Sequence, residues 1–324
     1  MIIKEVIKRK GEEDLKKIRL KENFMQKTLV VWLGAFLCCA LWGSAFPCIK
    51  IGYKLFEIES SETMTQILFA GCRFTLAGIL TILIGSLMSG QFLKPKKQSL
   101  APIFKLSLTQ TVAQYIFFYI GLAHTTGVKA SIIQAVNVFV AILVASLIFH
   151  QEKLDGKKML GSLIGFIGVV LVNITGIDVS SSFSLVGEGA IFLSTVAYAF
   201  SSVMIKNYSK EENPVVLSGY QFIIGGMIMV LWGLIGGGRI HTITTSGMMM
   251  LLYLALLSAV AYSLWGILLK YNPVSKVAVF GFMNPVFGVL LSAMLLKEYE
   301  TLNYMSIVSL ILVCIGIYIV NKEK

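Results

Sequence analysis

Charged residues are scarce in this chain. Of its 324 residues only 14% are charged, whereas 56% are hydrophobic and the mean hydropathy is +0.80. So little charge cannot cover the surface of a soluble particle of this size. The composition therefore excludes an ordinary soluble globular protein and predicts a chain that has lipid as its main solvent.

Histidine and cysteine are too few and too scattered for a metal centre or a disulfide framework. The five cysteines fall inside apolar runs without ligand spacing, and the three histidines are isolated near the ends of such runs. An enzyme would need a nucleophile with its base, paired carboxylates or a metal cluster. The sequence therefore predicts no catalytic site, no metal and no cofactor.

Carboxylates are missing from the depth of every apolar run. The nearest is Glu188, at the start of the stretch 187–207, and His124 lies just after the stretch 100–121. Proton coupling through a buried carboxylate is therefore poorly supported, and Glu188 and His124 are the candidates if coupling exists.

Ten apolar runs of roughly 20 residues recur from Thr28 to the C-terminus, and a run of that length crosses a hydrocarbon core as one helix. A barrel strand would instead alternate over about ten residues. The sequence predicts an all-α integral membrane protein with ten transmembrane helices, at residues 28–50, 63–89, 100–121, 127–149, 157–175, 187–207, 214–235, 247–268, 275–296 and 302–321.

Orientation explains the net charge of +11 better than nucleic acid does, because no basic face with interleaved aromatics exists. With the N-terminus inside, most lysines between runs fall on the cytoplasmic side, and the basic residues outside are Lys50, Lys54, Lys129, Arg239 and Lys297. We expect a multi-pass protein of the plasma or inner membrane with both termini cytoplasmic. Residues 1–27 are predicted to form a basic cytoplasmic leader, and the sequence shows no pattern of a cleavable signal peptide. The expected partners are the lipid bilayer and a small molecule, and no pattern supports a homodimer.

The two halves of the chain resemble each other. LWGSAFPCIK at 41–50 aligns without gaps with AYAFSSVMIK at 197–206, so that Trp42 corresponds to Tyr198. Further matches occur in the same order: Lys50 with Lys206, CRFTLAG (72–78) with YQFIIGG (220–226), Arg73 with Gln221, Glu152 with Glu298, and GVVLVN (168–173) with GIYIVN (316–321). The nearly constant offset indicates an internal repeat, at residues 28–175 and 187–321.

Each repeat contains five predicted helices, which is an odd number. The second half must then enter the membrane from the side opposite the first, and the repeat has inverted topology. Inverted repeats suit transporters, because two similar halves can exchange roles and open one central site to either face in turn.

This pattern resembles the EamA family of the drug/metabolite transporter superfamily, whose members look like ten-helix proteins made of two EamA units. The resemblance covers about residues 32–174 and 187–321. Its carriers are WGSAFPCIK in the first helix, Arg73, Ala130-Ser131, Glu152, AYAFSSVMIK in the sixth helix, NPVF at 284–287 and Glu298. Two positions depart from the pattern, since NVFV at 137–140 replaces NPVF in the first half and Gln221 replaces arginine in the seventh helix.

Polar and aromatic side chains within the runs are either packing contacts or parts of a site. Trp42 lies roughly 12 Å inside the outer end of its helix and Tyr198 lies at the mirrored depth, so the pair is predicted to form two walls of a central pocket. Amides that would be costly against lipid also point inward. For each residue the alternative is ordinary helix packing. The predicted substrate-binding residues are Trp42, Ser44, Gln114, Gln134, Asn137, Tyr198, Ser202, Tyr262, Trp265 and Asn284.

The first and ninth helices share a G-x-x-x-P arrangement, with Gly43 before Pro47 and Gly281 before Pro285. A proline cannot donate to the carbonyl four residues back, so each helix is predicted to bend there, either for a site or only for packing.

Arg73 is the only formal charge predicted in the middle of a span, because the others lie within about six residues of a span end. Such an arginine faces the bundle or snorkels outward. Two roles remain open for it: a structural clamp, and an anion site or gate.

The sequence predicts a membrane transporter that binds a small organic solute between its two halves and releases it after they rock. Aromatics and amides suit amino acids or related amphipathic solutes, and export is what the family resemblance implies. A multidrug or other organic-solute carrier of the same fold is the alternative. From a different class, a non-transporting interaction protein would need neither inverted symmetry nor converging amides.

Overall fold

The computed structural model describes residue 20 and residues 22–125, 127–173, 184–296 and 304–322, and no strand occurs among them. Most of the predicted leader and Glu298 lie outside the described residues. The helices are α1 (Thr28–Leu55), α2 (Thr63–Ser89), α3 (Lys97–Ala123), α4 (Lys129–Ile148), α5 (Gly156–Val172), α6 (Leu185–Tyr208), α7 (Pro214–Ile235), α8 (Thr245–Tyr271), α9 (Val274–Leu295) and α10 (Tyr304–Asn321).

These helices match the predicted spans to within about five residues, the margin expected for helix ends. Among the described residues, nine helices are both long and apolar enough to cross a membrane. The remaining one, α5, has 17 residues, and the count of ten spans stays a prediction. The protein is an all-α integral membrane protein.

Large apolar side chains cover the outside of the bundle. Leu87 is 82% exposed and Ile235 is 87% exposed, and many other leucines and isoleucines along the helices are also exposed. A soluble monomer rarely exposes so continuous an apolar surface. In a bilayer these side chains contact lipid.

Helix pairing follows a pseudo-twofold pattern. In the second repeat, α6 packs against α3 and α4, just as α1 in the first repeat packs against α8 and α9. The two other principal pairs join equivalent helices, α2 with α7 and α5 with α10. The principal contacts between helices therefore join one repeat to the other.

Glycines show that equivalent helices run antiparallel. A Cβ on Gly71 would lie 2.6 Å from the backbone nitrogen of Val230, and one on Gly78 would lie 2.5 Å from the carbonyl oxygen of Gly219. As residue numbers rise along α2, the numbers of the residues that they contact on α7 fall. The glycines of α5 and α10 show the same antiparallel order. An antiparallel relation between equivalent helices is what an inverted repeat requires.

The bundle has two ends, which we name by the matched lysines. At the Lys50 end, Phe56 after α1 packs against Gly247 at the start of α8. At the Lys206 end, Asn272 after α8 donates from its side chain to the carbonyl of Met25, at 3.1 Å.

The two proline helices differ in regularity. Helix α1 continues without interruption across Pro47, and Gly43 packs closely against Phe287 of α9. Helix α9 tightens to a 3₁₀ turn over Val279–Phe282, just before Pro285. This local change agrees with a break at Gly281, whereas the bend predicted at Pro47 stays a prediction.

Candidate substrate cavity between the two repeats

A cavity of about 320 Å³ lies between the repeats and runs from the exposed Lys50 inward to Trp42. Helices of both halves line it: α1 to α4 from the first repeat, and α6, α8 and α9 from the second. Pockets of this size and position are common ligand sites. Seven of the ten predicted binding residues belong to the lining: Trp42, Gln114, Gln134, Asn137, Tyr198, Tyr262 and Asn284.

An aromatic cluster closes the inner part of the cavity. Trp42 meets Tyr262 and Tyr198 edge to face, with ring centroids 5.1 Å and 6.4 Å apart. Trp42 and Tyr198 are in contact and therefore form one continuous wall of the cavity, whereas the sequence assigned them to two walls. The cluster forms because the repeat brings α1 and α6 to the centre at equal depth.

Three predicted residues lie away from the lining. The Ser44 hydroxyl donates to the carbonyl of Leu41 at 2.8 Å and lies 2.8 Å from the Tyr253 hydroxyl, and Ser202 donates to the carbonyl of Tyr198 at 3.1 Å. A serine inside a helix readily bonds a carbonyl of its own preceding turn. Trp265 packs behind Trp42 with ring centroids 5.0 Å apart, so it supports the wall without reaching the cavity.

The residues of the two predicted helix bends differ in whether they line the cavity. Gly281 and Pro285 of α9 line the cavity, whereas Gly43 and Pro47 of α1 do not. Gly43 serves close packing, since a Cβ there would lie 2.3 Å from the Cβ of Phe287.

Amide side chains bring unsatisfied polar atoms to the cavity. Gln114 Oε1 and Asn284 Oδ1 are buried without a hydrogen-bond partner, and so is Trp42 Nε1. Buried polar atoms are normally paired, so these three atoms of lining residues still need a hydrogen-bond partner that the described residues do not supply.

Arg73 reaches the cavity wall although it is only 2% exposed. Its Nε and Nη2 donate to the hydroxyl of Ser258, at 3.2 Å and 2.9 Å, and its guanidinium carbon lies 4.9 Å from the centre of the Phe74 ring. Within the part of the chain that the structure describes, no carboxylate lies within 4.0 Å of it.

The sequence reasoning missed several lining residues. Tyr115 and Tyr119 of α3 line the cavity beside Gln114, and the hydroxyls of Tyr115 and Tyr262 are 2.8 Å apart. Their spacing of one turn beside a predicted amide could have revealed them. Lys50 was predicted as an orientation anchor, but it also lines the outer part of the cavity.

The two candidates for proton coupling lie at the Lys50 end, outside the lining. Glu188 forms an ion pair with Lys129 at 3.2 Å and accepts from the Thr125 hydroxyl at 2.8 Å. His124 is exposed, and its Nδ1 is 2.8 Å from the carbonyl oxygen of Ile120. No group of three metal-ligating side chains occurs among the residues that were placed.

Hydrogen bonds tie the helices together at the Lys206 end. Lys206 Nζ donates to the carbonyl of Leu269 at 3.0 Å and to that of Asn272. Glu152, after α4, accepts from Lys158 at 2.9 Å and from both the backbone N–H and the hydroxyl of Ser275. These bonds join α4, α5, α6, α8 and α9 on the side away from the cavity mouth.

A buried carboxylate at the same end joins the segment before α3 to the segment before α7. Glu212 accepts from the backbone N–H groups of Lys96 and Asn213, each at 2.9 Å. Burial acts to raise the pKa of the Glu212 carboxyl, but these hydrogen bonds outweigh it and the pKa lies below its ordinary value.

A match to known proteins agrees with this architecture. The EamA-like transporter family matches residues 29–174 and again residues 185–322. The chain belongs to the EamA-like transporter family. Its two matched segments coincide with the two halves that pack around the cavity, so the EamA repeat and the structural repeat are the same unit.

Relatives of this EamA-like transporter include a probable amino-acid metabolite efflux pump of Salmonella typhimurium, 27% identical over 88% of this chain and 92% of the relative. An uncharacterized transporter of Archaeoglobus fulgidus is 27% identical over 90% of this chain and 99% of the relative. A solved crystal structure superimposes with a TM-score of 0.73 at 16% identity, covering 89% of this chain and 95% of that one. The last likeness shows a shared fold.

Proposed function

We propose that this protein exports small organic metabolites, such as amino acids or related amphipathic solutes, by alternating access. The observation that carries the proposal is the cavity between two inverted halves, which reaches one end of the bundle while hydrogen bonds close the other. A carrier needs one central site and two closures that alternate. The proposed setting is the plasma or inner membrane, with residues 28–175 and 187–321 as the two moving units and the termini cytoplasmic.

In this proposal the cavity mouth faces outward and the Lys206 end faces the cytoplasm. The state described is then the one in which solute leaves the cell. The return step breaks the contacts of Lys206 and Glu152 and closes the Lys50 end, by a rocking of one half against the other. The protein changes the position of the solute and none of its bonds, which makes it a carrier without enzymatic chemistry.

The solute binds against the wall formed by Trp42, Tyr198 and Tyr262, which offers flat apolar faces with polar edges. The unpartnered Gln114 Oε1 and Asn284 Oδ1 accept hydrogen bonds from its polar groups. The efflux-pump name of the Salmonella relative supports export and an amino-acid metabolite as the class. A general organic-solute carrier remains the alternative of the same fold.

If export is coupled to protons, Glu188 and His124 are the candidate residues in this proposal. Because neither residue lines the cavity, protonation would then act through the closure of the Lys50 end. Solute flux that is independent of a pH gradient would remove the assignment without touching the carrier itself.

Proteoliposomes loaded with a panel of metabolites test the proposal. We expect the wild type to move at least one amino acid or related solute, and Trp42→Ala to lower the rate by about tenfold or more, as for loss of an anchor aromatic. Trp232→Ala is the matched control, because Trp232 is 50% exposed on the outside of α7. Correctly inserted protein that moves no solute under any gradient would favour a non-transporting interaction protein.

A further inference from the structure

The charge of the cavity lining is one-sided. Lys50 and Arg73 line it, and among the residues placed by the structure no aspartate or glutamate does. Lys50 stands at the exposed mouth, whereas Arg73 lies in the interior. An anionic solute thus meets one cation at entry and a second at depth.

Arg73 has donors to spare. A guanidinium carries five N–H groups, but Arg73 uses only Nε and Nη2, and both are directed at the single oxygen of Ser258. Nη1 makes no hydrogen bond within the described residues. A buried charge is stable only when it is paired, and none of the residues that the structure describes supplies a carboxylate to this guanidinium.

Its neighbours hold the guanidinium in place without neutralising it. Ser258 is itself fixed by donating to the carbonyl of Leu254 at 2.9 Å, and the Phe74 ring packs 4.9 Å from the guanidinium carbon. Both neighbours are uncharged. The group is therefore held rigid before a ligand arrives, which lowers the entropy lost on binding.

The residue that corresponds to Arg73 in the second repeat supplies no cation to the cavity. Gln221 is fully buried, accepts from the Thr111 hydroxyl at 2.6 Å and does not line the cavity. The pseudo-twofold scaffold thus places a cation on one side only. A solute with a single anionic group would bind in one orientation.

We propose that the solute carries a carboxylate and that Arg73 binds this carboxylate in the cavity, an inference that rests on the proposed function. The spare donors of a guanidinium suit a planar carboxylate, which accepts two parallel hydrogen bonds. The apolar body of the solute then lies against the aromatic wall at Trp42. Solutes that lack an anion leave Arg73 unpaired and bind weakly.

Probes that differ in one group test the carboxylate. The full-length protein in detergent is titrated with 3-phenylpropionate, 3-phenylpropanamide, L-phenylalanine and L-phenylalaninamide, which share a phenyl ring suited to the wall. Each acid should bind about tenfold or more tightly than its amide, as expected for a desolvated charge pair. Equal binding of acid and amide, or no binding of either acid, overturns the proposal. Phenyl phosphate is the competing anion, and tighter binding of it than of 3-phenylpropionate also overturns the proposal.

Variants assign the preference to Arg73. Arg73→Gln should reduce the ratio between acid and amide to about twofold or less, and Arg73→Lys should retain part of it. Arg239→Gln removes the same charge from the exposed segment after α7 and should leave the ratio unchanged. An unchanged ratio in a folded Arg73→Gln protein overturns the assignment. If that variant does not fold, the ratio between acid and amide binding in the wild type and in Arg73→Lys still tests the proposal.

Failure of this inference differs from failure of the proposed function. Wild-type protein that moves uncharged or cationic solutes as fast as carboxylates in proteoliposomes remains a transporter, and only the carboxylate is then wrong. Protein that moves nothing contradicts both.

Discussion

Trp42 organises the candidate site at the scale of single residues. Its ring contacts Tyr198, Tyr262 and Trp265, which come from two helices of the second repeat. The first repeat thus supplies one ring to a cluster otherwise built by the second. Loss of this ring would open the inner wall of the cavity as well as remove a binding surface.

Ser44 provides a sharp contrast with Trp42 two positions away. Its hydroxyl is already paired with Leu41 and Tyr253 and lies outside the lining. We expect Ser44→Ala to change the apparent solute affinity by less than about twofold and to cost about 1–3 kcal/mol of stability through two lost hydrogen bonds. Proteoliposome kinetics and thermal denaturation measure both. A tenfold loss of affinity would show that Ser44 contributes to solute binding.

The sequence predicted large side chains of the site better than small ones. Trp42, Tyr198 and the four amides were expected at the centre because aromatic and amide groups deep in a span are costly against lipid. Ser44 and Ser202 were expected there for the same reason, but they lie outside the lining, because a hydroxyl can hydrogen-bond to a carbonyl of its own helix. Tyr115 and Tyr119 were missed, although their one-turn spacing beside Gln114 marks the same helix face.

At the scale of elements, α2 and α7 depend on direct backbone contact. A Cβ on Gly78 would meet the backbone of α7 at Gly219 and at the nitrogen of Ile223, 2.5 Å and 2.7 Å away. Because neither contact is the movable end of a side chain, we expect Gly78→Ala to destabilise the fold by about 1–3 kcal/mol. Gly156→Ala is the control, since nothing lies within 4 Å of a Cβ there. Denaturation temperatures that are equal for the two variants would contradict this packing.

Lys206 links α6 to the last carbonyls of α8, at Leu269 and Asn272. A cation that caps a helix C-terminus stabilises the contact, so Lys206→Met should loosen the closed end. A cysteine at Ser202, which is 3% exposed beneath this end, should then react about fivefold faster with a thiol reagent, a change of ~1 kcal/mol in opening.

The labelling comparison needs two precautions. Cys72 and Cys314, the two native cysteines that are not buried, are replaced beforehand by alanine. Lys210→Met removes an exposed lysine of the same end and serves as the control. Equal labelling rates in the Lys206 and Lys210 variants would show that Lys206 does not hold this end closed.

Helix positions were predictable because apolar length alone determines a span. Local irregularity was not, since the π-helical stretch Ser107–Ala113 in α3 and the 3₁₀ turn in α9 depend on packing between helices. The effect of Pro47 was equally beyond reach, because α1 remains helical across it and its neighbours decide any bend.

At the scale of the whole molecule, the inverted repeat relates the two ends of the bundle. Lys206 contacts the end of α8 near Leu269, and its counterpart Lys50 lines the cavity together with Leu122, near the end of α3. If the two halves exchange roles, the opposite state places Lys50 against α3 as Lys206 now lies against α8.

Paired cysteines measure that exchange. Lys206→Cys with Leu269→Cys should cross-link readily in the state described, and Lys50→Cys with Leu122→Cys should cross-link only after the halves have moved. Each cross-link should stop transport, and reduction should restore it. Cross-linking of both pairs in one molecule at the same time would contradict alternating closure.

Counterflow in proteoliposomes tests alternating access most directly. Vesicles are loaded with an excess of the unlabelled amino acid that moves fastest in the panel and are diluted into a trace of the same solute carrying a label. A carrier exchanges one molecule for another through a single site, so the label should accumulate inside transiently above its outside concentration. Trp42→Ala should slow this accumulation by about tenfold or more. Label that merely equilibrates, as through a channel, or that never enters, would contradict the account.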